Sequence, residues 1–305
     1  MFADDGHLDR VIRRAAAMGF DGPTAVAMAS LHVAEHFGLH EYGAIAPGMA
    51  ADLSIAQIPS EKWCDLKIDA TFVGGRLIAE SGRCLQRVST IDIPHFLRKT
   101  VHLPSGFSEK SFVIAAKANV PARVVGIIPG QIVTASKREI PRVVDGVLLA
   151  DVTRDLLILA SIERHGRAGK IGVGLVQGFG IRSGAIASTV GHDAHNLSIA
   201  GVDPFDMFVA AKRLEEIGGG QCIAQGGKIL AELPLAIAGL LSDQTPDSVA
   251  RSQHAMQKAY ESLGGKLSDP FMQLAFLPLS VIPHLKVSDC GIIDVDAFRI
   301  VALQD

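Results

Sequence analysis

The sequence predicts a mixed α/β or α+β protein that begins with helices and carries most of its strands further along. Apolar residues recur at helical spacing from Leu8 to Ala15. Short β-rich runs occupy residues 45–84, and beyond residue 110 a series of β-like runs is followed by helical patterns and further β-like runs. The chain has 305 residues, of which 48% are hydrophobic. That length suits two domains or one large one, with a substantial core.

The first forty residues predict two helices. The pattern that starts at Leu8 stops at Gly19, and a second helix is expected from Pro23 to Gly38. Two helices without a preceding sheet cannot enclose a core of their own. We therefore expect them to dock onto another surface and to expose apolar side chains in the isolated chain.

The second predicted helix contains the run HVAEH, with His32 and His36 four residues apart. This run matches the H-x-x-E-H pattern of an inverted zinc-peptidase helix. The surrounding sequence indicates no third ligand. We predict that both histidines lie on a solvated or interface face and that Ala29, Val33 and Phe37 form the buried stripe.

Residues 45–84 contain the runs ADLSIA, IDATFVGG and RLIAESG, separated by glycine and proline. They predict a small antiparallel sheet. Residues 85–110 are irregular and form the best candidate for a domain boundary. The predicted domains are residues 1–40, 41–90 and 91–305.

Beyond residue 110, the β-like runs are SFVIAAK, ARVVGIIP, DLLILASIERHG, KIGVGLVQGFG, GAIASTV and LSIAG. Asp203, followed by Pro204, is the expected N-cap of a helix that ends at Gly218. A hairpin is expected to turn at Gly226 and the following glycine. Another helix from about Pro246 to Leu263 and a β-rich tail complete the prediction.

The composition excludes several classes of function. With 29 basic and 32 acidic residues, the net charge is -3, and no basic block could follow a phosphate backbone, so we expect no nucleic-acid partner. No run of about 18 apolar residues occurs, which predicts no membrane span. Four scattered cysteines and the lack of a signal-peptide pattern predict a cytoplasmic protein.

Residues 190–201, VGHDAHNLSIAG, are the most informative stretch of the chain. His192, Asp193, His195 and Asn196 lie between two strand-like runs, so we expect them at a strand end or tight connection. They could serve as metal ligands, or as donors and acceptors that read the edge of a polar heterocycle. A polar turn that bonds to its own backbone is the alternative.

Two sets of residues carry a family resemblance. The segment TAVAMASLHVAEHFGLHEYGAIAPGMAADLSIA resembles the closing helix and β-sandwich of amidohydrolases, with the pattern G-x-I-x-x-G-x-x-A-D-L starting at Gly43. The later segments IASTVGHDAHNLSIAG, RLEEIGGG, AELPLAIAGLLSD and DPFMQLAFLPLSVIPHLKVSDCGIIDV resemble the carboxy-terminal domain of bacterial adenine deaminases. The resemblance runs in order along nearly the whole chain.

This resemblance implies a fold and an activity. The two leading helices would end a (β/α)8 barrel, followed by a small β-sandwich segment and a mixed α/β domain. The implied enzyme is a hydrolase that acts on a cyclic amidine C–N bond. It converts adenine and water to hypoxanthine and ammonia in purine salvage, with manganese or iron activating the water.

The chain departs from the amidohydrolase pattern at the metal ligands. It contains no H-x-H pair, and most of the implied barrel does not precede the first helix. Asp4 would align with the aspartate ligand of the last barrel strand, or it is a linker residue. The resemblance thus makes His192, Asp193, His195 and Asn196 a supporting cluster, with the principal metal ligands outside this chain.

Three functions therefore stay open. The chain is the carboxy-terminal part of an adenine deaminase that needs a barrel, working as a homo-oligomer or beside a separate barrel-containing chain. In the second alternative, the chain is a noncatalytic purine-binding or assembly module. In the third, it is a self-sufficient metallohydrolase that uses the HDAHN run, residues 192–196.

Overall fold

The structure, a computed structural model, describes residues 6–86 and 92–304 and folds into two compact units, Met1–Asp92 and Ile93–Asp305. Helices and strands occur together in both units, which confirms the predicted mixed class. The finer division at residues 40 and 90 stays a prediction. Asp4 lies outside the described residues.

The first unit begins with short helices. They are α1 (Leu8–Ala17), α2 (Gly22–Met28) and α3 (Leu31–His36). The prediction of a single helix from Pro23 to Gly38 is wrong, because the helix is interrupted at Ser30, whose φ of -138° is not helical. The Ser30 hydroxyl donates to the Val26 carbonyl at 2.7 Å, a side-chain bond that competes with the helical ladder.

The predicted buried stripe of these helices is also wrong. Val33 and Phe37 are 44% and 70% exposed, whereas Ala25 and Ala34 are buried. The chain returns over the alanine face at Gly43, where a Cβ would lie 2.8 Å from the Ala34 Cβ. The small side chains are therefore covered, and the large ones face outward. The exposed apolar residues on and between α1 and α3 confirm the expected apolar surface; they are Leu8, Val11, Met18, Phe20, Met28 and Val33.

A small antiparallel sheet completes the first unit, as predicted. Its strands follow one another in chain order, and each pairs with the next. They are β1 (Leu53–Gln57), β2 (Lys67–Val73), β3 (Arg76–Glu80) and β4 (Arg83–Cys84).

The second unit is built on an eight-stranded sheet. Its strands are β5 (Ala122–Ile127), β6 (Thr134–Glu139), β9 (Leu156–Ile162), β10 (Ile171–Gln177), β11 (Ala185–Ser188), β12 (Leu197–Gly201), β13 (Gly220–Gln225) and β14 (Lys228–Pro234). They lie in the order β14-β13-β11-β12-β9-β10-β5-β6, and neighbours are antiparallel except for the parallel pair β5 and β10. Two smaller sheets contain β7 (Arg142–Val144) with β8 (Val147–Leu149), and β15 (Leu285–Ser288), β16 (Gly291–Asp294) and β17 (Arg299–Val301).

Both faces of the large sheet are covered. Helix α4 (Pro204–Ile217) packs on the face that includes Ile158 of β9. Helices α5 (Pro246–Ser262) and α6 (Pro270–Phe276) pack with β15 and β16 on the face that includes Leu159. Every residue of β9 is buried, which explains why its sequence is a continuous apolar run rather than an alternating one.

The predicted elements of this unit are largely confirmed. The Asp203 side chain caps α4 by accepting hydrogen bonds from the backbone N–H groups of Phe205 and Asp206, and Gly218 ends the helix with a left-handed φ of 80°. The hairpin turns between Gln225 and Lys228, and α5 starts at Pro246 as expected.

Two predictions here are wrong. The run SFVIAAK is not a strand: a short 3-10 helix covers Glu109–Phe112, and Ala115 forms one isolated bridge to Val147. The predicted β-rich tail contains the helix α6, which Asp269 caps. Its sequence, PFMQLAF, is mostly apolar because the helix is largely buried, so it lacks the polar face that marks a surface helix.

Candidate functional site

The candidate site is built around the connection between β11 and β12, residues 189–196, which we call the polar loop. These two strands lie in the middle of the large sheet. The loop therefore projects from the end of the sheet at which β9 also ends, since Leu197 pairs with Ile162. This placement confirms that His192, Asp193, His195 and Asn196 lie at a strand connection.

His192 and Asp193 form the exposed tip of the polar loop. The His192 ring stacks on Phe276, with ring centroids 4.2 Å apart and an interplanar angle of 23°. Its backbone N–H donates to the Ala275 carbonyl at 3.0 Å. The end of α6 therefore supports the tip of the loop.

Asn196 lies at the buried end of the polar loop. Its side-chain amide donates to the carboxylate of Asp289 at 3.0 Å. Asp289 belongs to the turn between β15 and β16. Asn196 therefore ties the loop to a segment that follows it by 93 residues.

His195 is half-buried and has a left-handed φ of 49°. Its Nδ1 atom is buried and has no hydrogen-bond partner among the described residues. Burial lowers the pKa of this imidazole, and the positive charge of Arg164 and of neighbouring histidines lowers it further. The ring is therefore neutral at pH 7, and one nitrogen is able to accept a hydrogen bond.

Sequence reasoning missed Arg164 and His165, which follow the end of β9. The Arg164 Nε donates to the His195 carbonyl at 2.6 Å, and the His165 Nε2 lies 2.8 Å from the Ala194 carbonyl oxygen. Burial lowers the pKa of Arg164 to about 10, so the side chain stays charged at pH 7. The signal that could have identified them is the charged run ERH directly after a buried strand.

Glu163 neighbours Arg164 in the chain but does not act as its counter-ion. Its carboxylate accepts hydrogen bonds of 2.6 to 3.1 Å from the backbone N–H groups of His165 and residues 167–169. Burial alone would raise the pKa of Glu163, but these four donors lower it overall. The carboxylate therefore shapes the β9–β10 connection.

The donor set of the polar loop does not fit a metal ion. His192 lies against Phe276 and Asn196 against Asp289, so these side chains point to separate partners. Within residues 6–86 and 92–304, no group of three histidine, cysteine, aspartate or glutamate side chains is placed to hold a metal. His32 and His36 are exposed on α3, as predicted. No catalytic step through a metal is assigned to the described part of the chain.

Comparison with known proteins identifies the family. The sequence pattern of the adenine deaminase C-terminal domain matches residues 131–299, more than half of the chain. The chain belongs to this family. Residues 4–78 additionally match the amidohydrolase family. Both parts of the resemblance drawn from the sequence are therefore confirmed.

Individual relatives of the family extend the match to nearly the whole chain. An adenine deaminase from Oleidesulfovibrio alaskensis is 41% identical over 300 residues, which are 98% of this chain and 50% of the relative. One from Dehalococcoides mccartyi is 40% identical over 297 residues, 97% of this chain and 51% of the relative. One from Cereibacter sphaeroides is 42% identical over 298 residues, 98% and 51% respectively. The chain spans about half the length of the curated relatives it matches and corresponds to their carboxy-terminal part.

The helices of the described part include none that is both long and apolar enough to cross a membrane.

Proposed function

We propose that this chain is the carboxy-terminal half of an adenine deaminase, which hydrolyses adenine to hypoxanthine and ammonia in purine salvage. The observation that carries the proposal is the match of about 40% identity along 97% to 98% of the chain to proteins named adenine deaminase. Isolated motifs or a shared fold would support it less, since folds host many functions.

In this proposal the catalytic metal, manganese or iron, belongs to the half that the relatives have in addition. The described residues here offer no group of three ligands, whereas the amidohydrolase resemblance implies metal-binding histidines in a barrel. The metal would activate water for attack on the purine. Asp4 remains the one proposed ligand from this chain.

The polar loop has a supporting role. Its tip presents an imidazole and a carboxylate, His192 and Asp193, at the end of two central strands of the large sheet. Behind this tip, the half-buried His195 ring is neutral, and its buried Nδ1 has no hydrogen-bond partner among the described residues. The exposed imidazole and carboxylate of the tip can orient a polar heterocycle or dock a neighbouring domain. We assign to the loop purine access or domain docking next to the metal centre.

Reconstitution tests the proposed activity. The chain is mixed with the amino-terminal half of the Oleidesulfovibrio alaskensis relative, supplied with manganese or iron, and assayed for ammonia and hypoxanthine. We expect activity from the mixture and none from either half. The intact relative serves as a positive control, and a mixture that binds together but releases no ammonia contradicts the proposal.

Variants of the polar loop test its supporting role. Asp193→Asn and His192→Ala should lower deamination in the reconstituted enzyme. His254→Ala on α5 is the matched control, because that histidine is exposed and bonds only locally to Ala250. Equal activity in all three variants would remove the loop from the mechanism.

A noncatalytic purine-binding module is the second candidate. It is favoured by the exposed His192 ring stacked on Phe276, since exposed aromatic rings can stack on a planar purine. Calorimetry of the chain with adenine and with hypoxanthine tests it, and the absence of heat with both would leave an assembly role. The third alternative, a metallohydrolase using residues 192–196, has no support from the divergent side chains.

We also propose a cytoplasmic, multi-chain protein. Cys64, Cys84, Cys222 and Cys290 are all unpaired thiols, which suits a reducing compartment. The exposed apolar side chains of α1 to α3 favour contact with another copy or a separate barrel-containing chain.

A further inference from the structure

Arg164 occupies an uncommon environment for an arginine. It lies two residues beyond the end of β9, and its side chain is only 1% exposed. Its hydrogen bonds end on neutral oxygen atoms rather than on a carboxylate. Burying a charge without an opposite charge is unfavourable, so net stabilisation does not explain this arrangement.

The guanidinium joins three separate segments of the chain. Nε donates to the His195 carbonyl at 2.6 Å. Nη1 donates to the carbonyl and hydroxyl of Thr100 at 3.2 and 3.3 Å, and Nη2 donates to the Ala238 carbonyl at 3.1 Å. The planar guanidinium has five N–H donors and can make these bonds in three directions at once. A lysine ammonium places its donors on one nitrogen atom and cannot reach all three segments.

The segments that Arg164 holds have strained backbones. His195 and Ala238 have left-handed φ angles of 49° and 55°, which are unfavourable for residues other than glycine. Gly239 lies against the guanidinium, and a Cβ there would come within 2.9 Å of Nη1. The backbone conformation and the arginine therefore fit each other.

We infer that Arg164 is a positioning residue that fixes the polar loop through the His195 carbonyl and thereby sets where His192 and Asp193 are presented. The effect of Arg164 on the conformation of the loop does not depend on the proposed deaminase activity. Its effect on the rate of deamination rests on that proposed function.

NMR of the isolated chain tests the effect on loop order. In Arg164→Lys and Gly239→Ala, exchange of the His192 amide, which donates to the Ala275 carbonyl at 3.0 Å, should accelerate by about tenfold, because the anchor of the loop is weakened or displaced. In Arg164→Met, the His195 imidazole should also titrate at higher pH. Arg154→Lys is the matched control, since Arg154 precedes β9 at its opposite end and is 41% exposed. It should leave both readings unchanged.

The outcomes separate positioning from a purely structural role. If the variants that fold keep wild-type loop exchange and His195 titration while only the melting temperature falls, the inference is wrong. If Arg164→Met does not fold, amide exchange of the loop in Arg164→Lys and Gly239→Ala still tests the inference. In the reconstituted enzyme, Arg164→Lys should lower kcat/KM about tenfold at unchanged metal content. An inactive wild-type mixture would contradict the proposed function but leave the loop measurement valid.

Discussion

Asn196 and Asp289 are joined by a 3.0 Å hydrogen bond from side-chain amide to carboxylate, although 93 residues separate them. Asn196 is buried and directly precedes the central strand β12, whereas Asp289 belongs to a turn of a smaller sheet. This bond makes the inner end of the polar loop dependent on a segment near the end of the chain.

Replacing Asn196 by alanine should lower the free energy of unfolding by about 1 to 2 kcal/mol, because a buried hydrogen bond to a charged group is lost. Urea denaturation measures the change. Gln244→Ala is the control: its exposed amide also bonds to an aspartate, Asp243, at 3.0 Å, and its loss should have a much smaller effect. Equal losses in both variants would show that burial adds nothing to the Asn196 bond.

Lys286 predicts a pH dependence of stability. The side chain is 0% exposed, its ammonium donates to the Ile132 carbonyl at 3.2 Å, and burial lowers its pKa to about 8. An exposed lysine in the unfolded chain stays protonated up to a pH of about 10.5. Unfolding therefore takes up a proton between these values, so this residue makes stability rise from pH 8 toward 10.5.

Lys286→Met isolates this contribution. Below pH 8 the variant should be more stable than the wild type by about 3 kcal/mol, since no buried amine needs to be charged, and the difference should shrink as the pH rises. Lys258→Met, at an exposed position of α5, should show neither effect. Denaturant midpoints from pH 7 to 9.5 supply the data, and a constant difference across that range would contradict the prediction.

Asp206 anchors the β13–β14 hairpin. Its buried carboxylate accepts hydrogen bonds from the backbone N–H groups of Gly226 and Gly227 at 3.0 and 2.8 Å. Asp206→Ala leaves both donors without this acceptor and should destabilise the protein by about 2 kcal/mol. Amide exchange at both glycines should accelerate. The exposed Asp247→Ala on α5 should leave the hairpin unaffected, and protection retained in the Asp206 variant would refute the anchoring role.

The exposed apolar surface of the leading helices should drive self-association of the isolated chain. Met18 and Phe37 are exposed there, and a Met18→Glu, Phe37→Glu double variant should shift the protein toward monomer in sedimentation velocity. Phe298→Glu is the control, because this 93% exposed side chain lies in the second unit. A wild-type chain that is monomeric at high concentration would rule out the prediction.

Local signals were sufficient for several elements. Asp203 and Pro204 mark the start of α4, and Gly226 with Gly227 marks a hairpin, because caps and tight turns depend on neighbouring residues alone. The polar loop was placed correctly for the same reason: two recognisable strands flank it. The family resemblance was readable because it depends on ordered residue identities, without reference to contacts.

Contacts between distant residues decided the rest. Helix α6 is buried on the large sheet, so its sequence lacks the alternating polar face that would mark it. The break at Ser30 and the exposure of Phe37 follow from side-chain and chain-return contacts that no periodic pattern encodes. Sequence by itself determined most strands of the large sheet, the cap at Asp203 and the residues of the polar loop. Only the tertiary structure decided that Arg164 and Asp289 hold that loop, because hydrogen bonds between distant segments exist only once the sheet has brought them together.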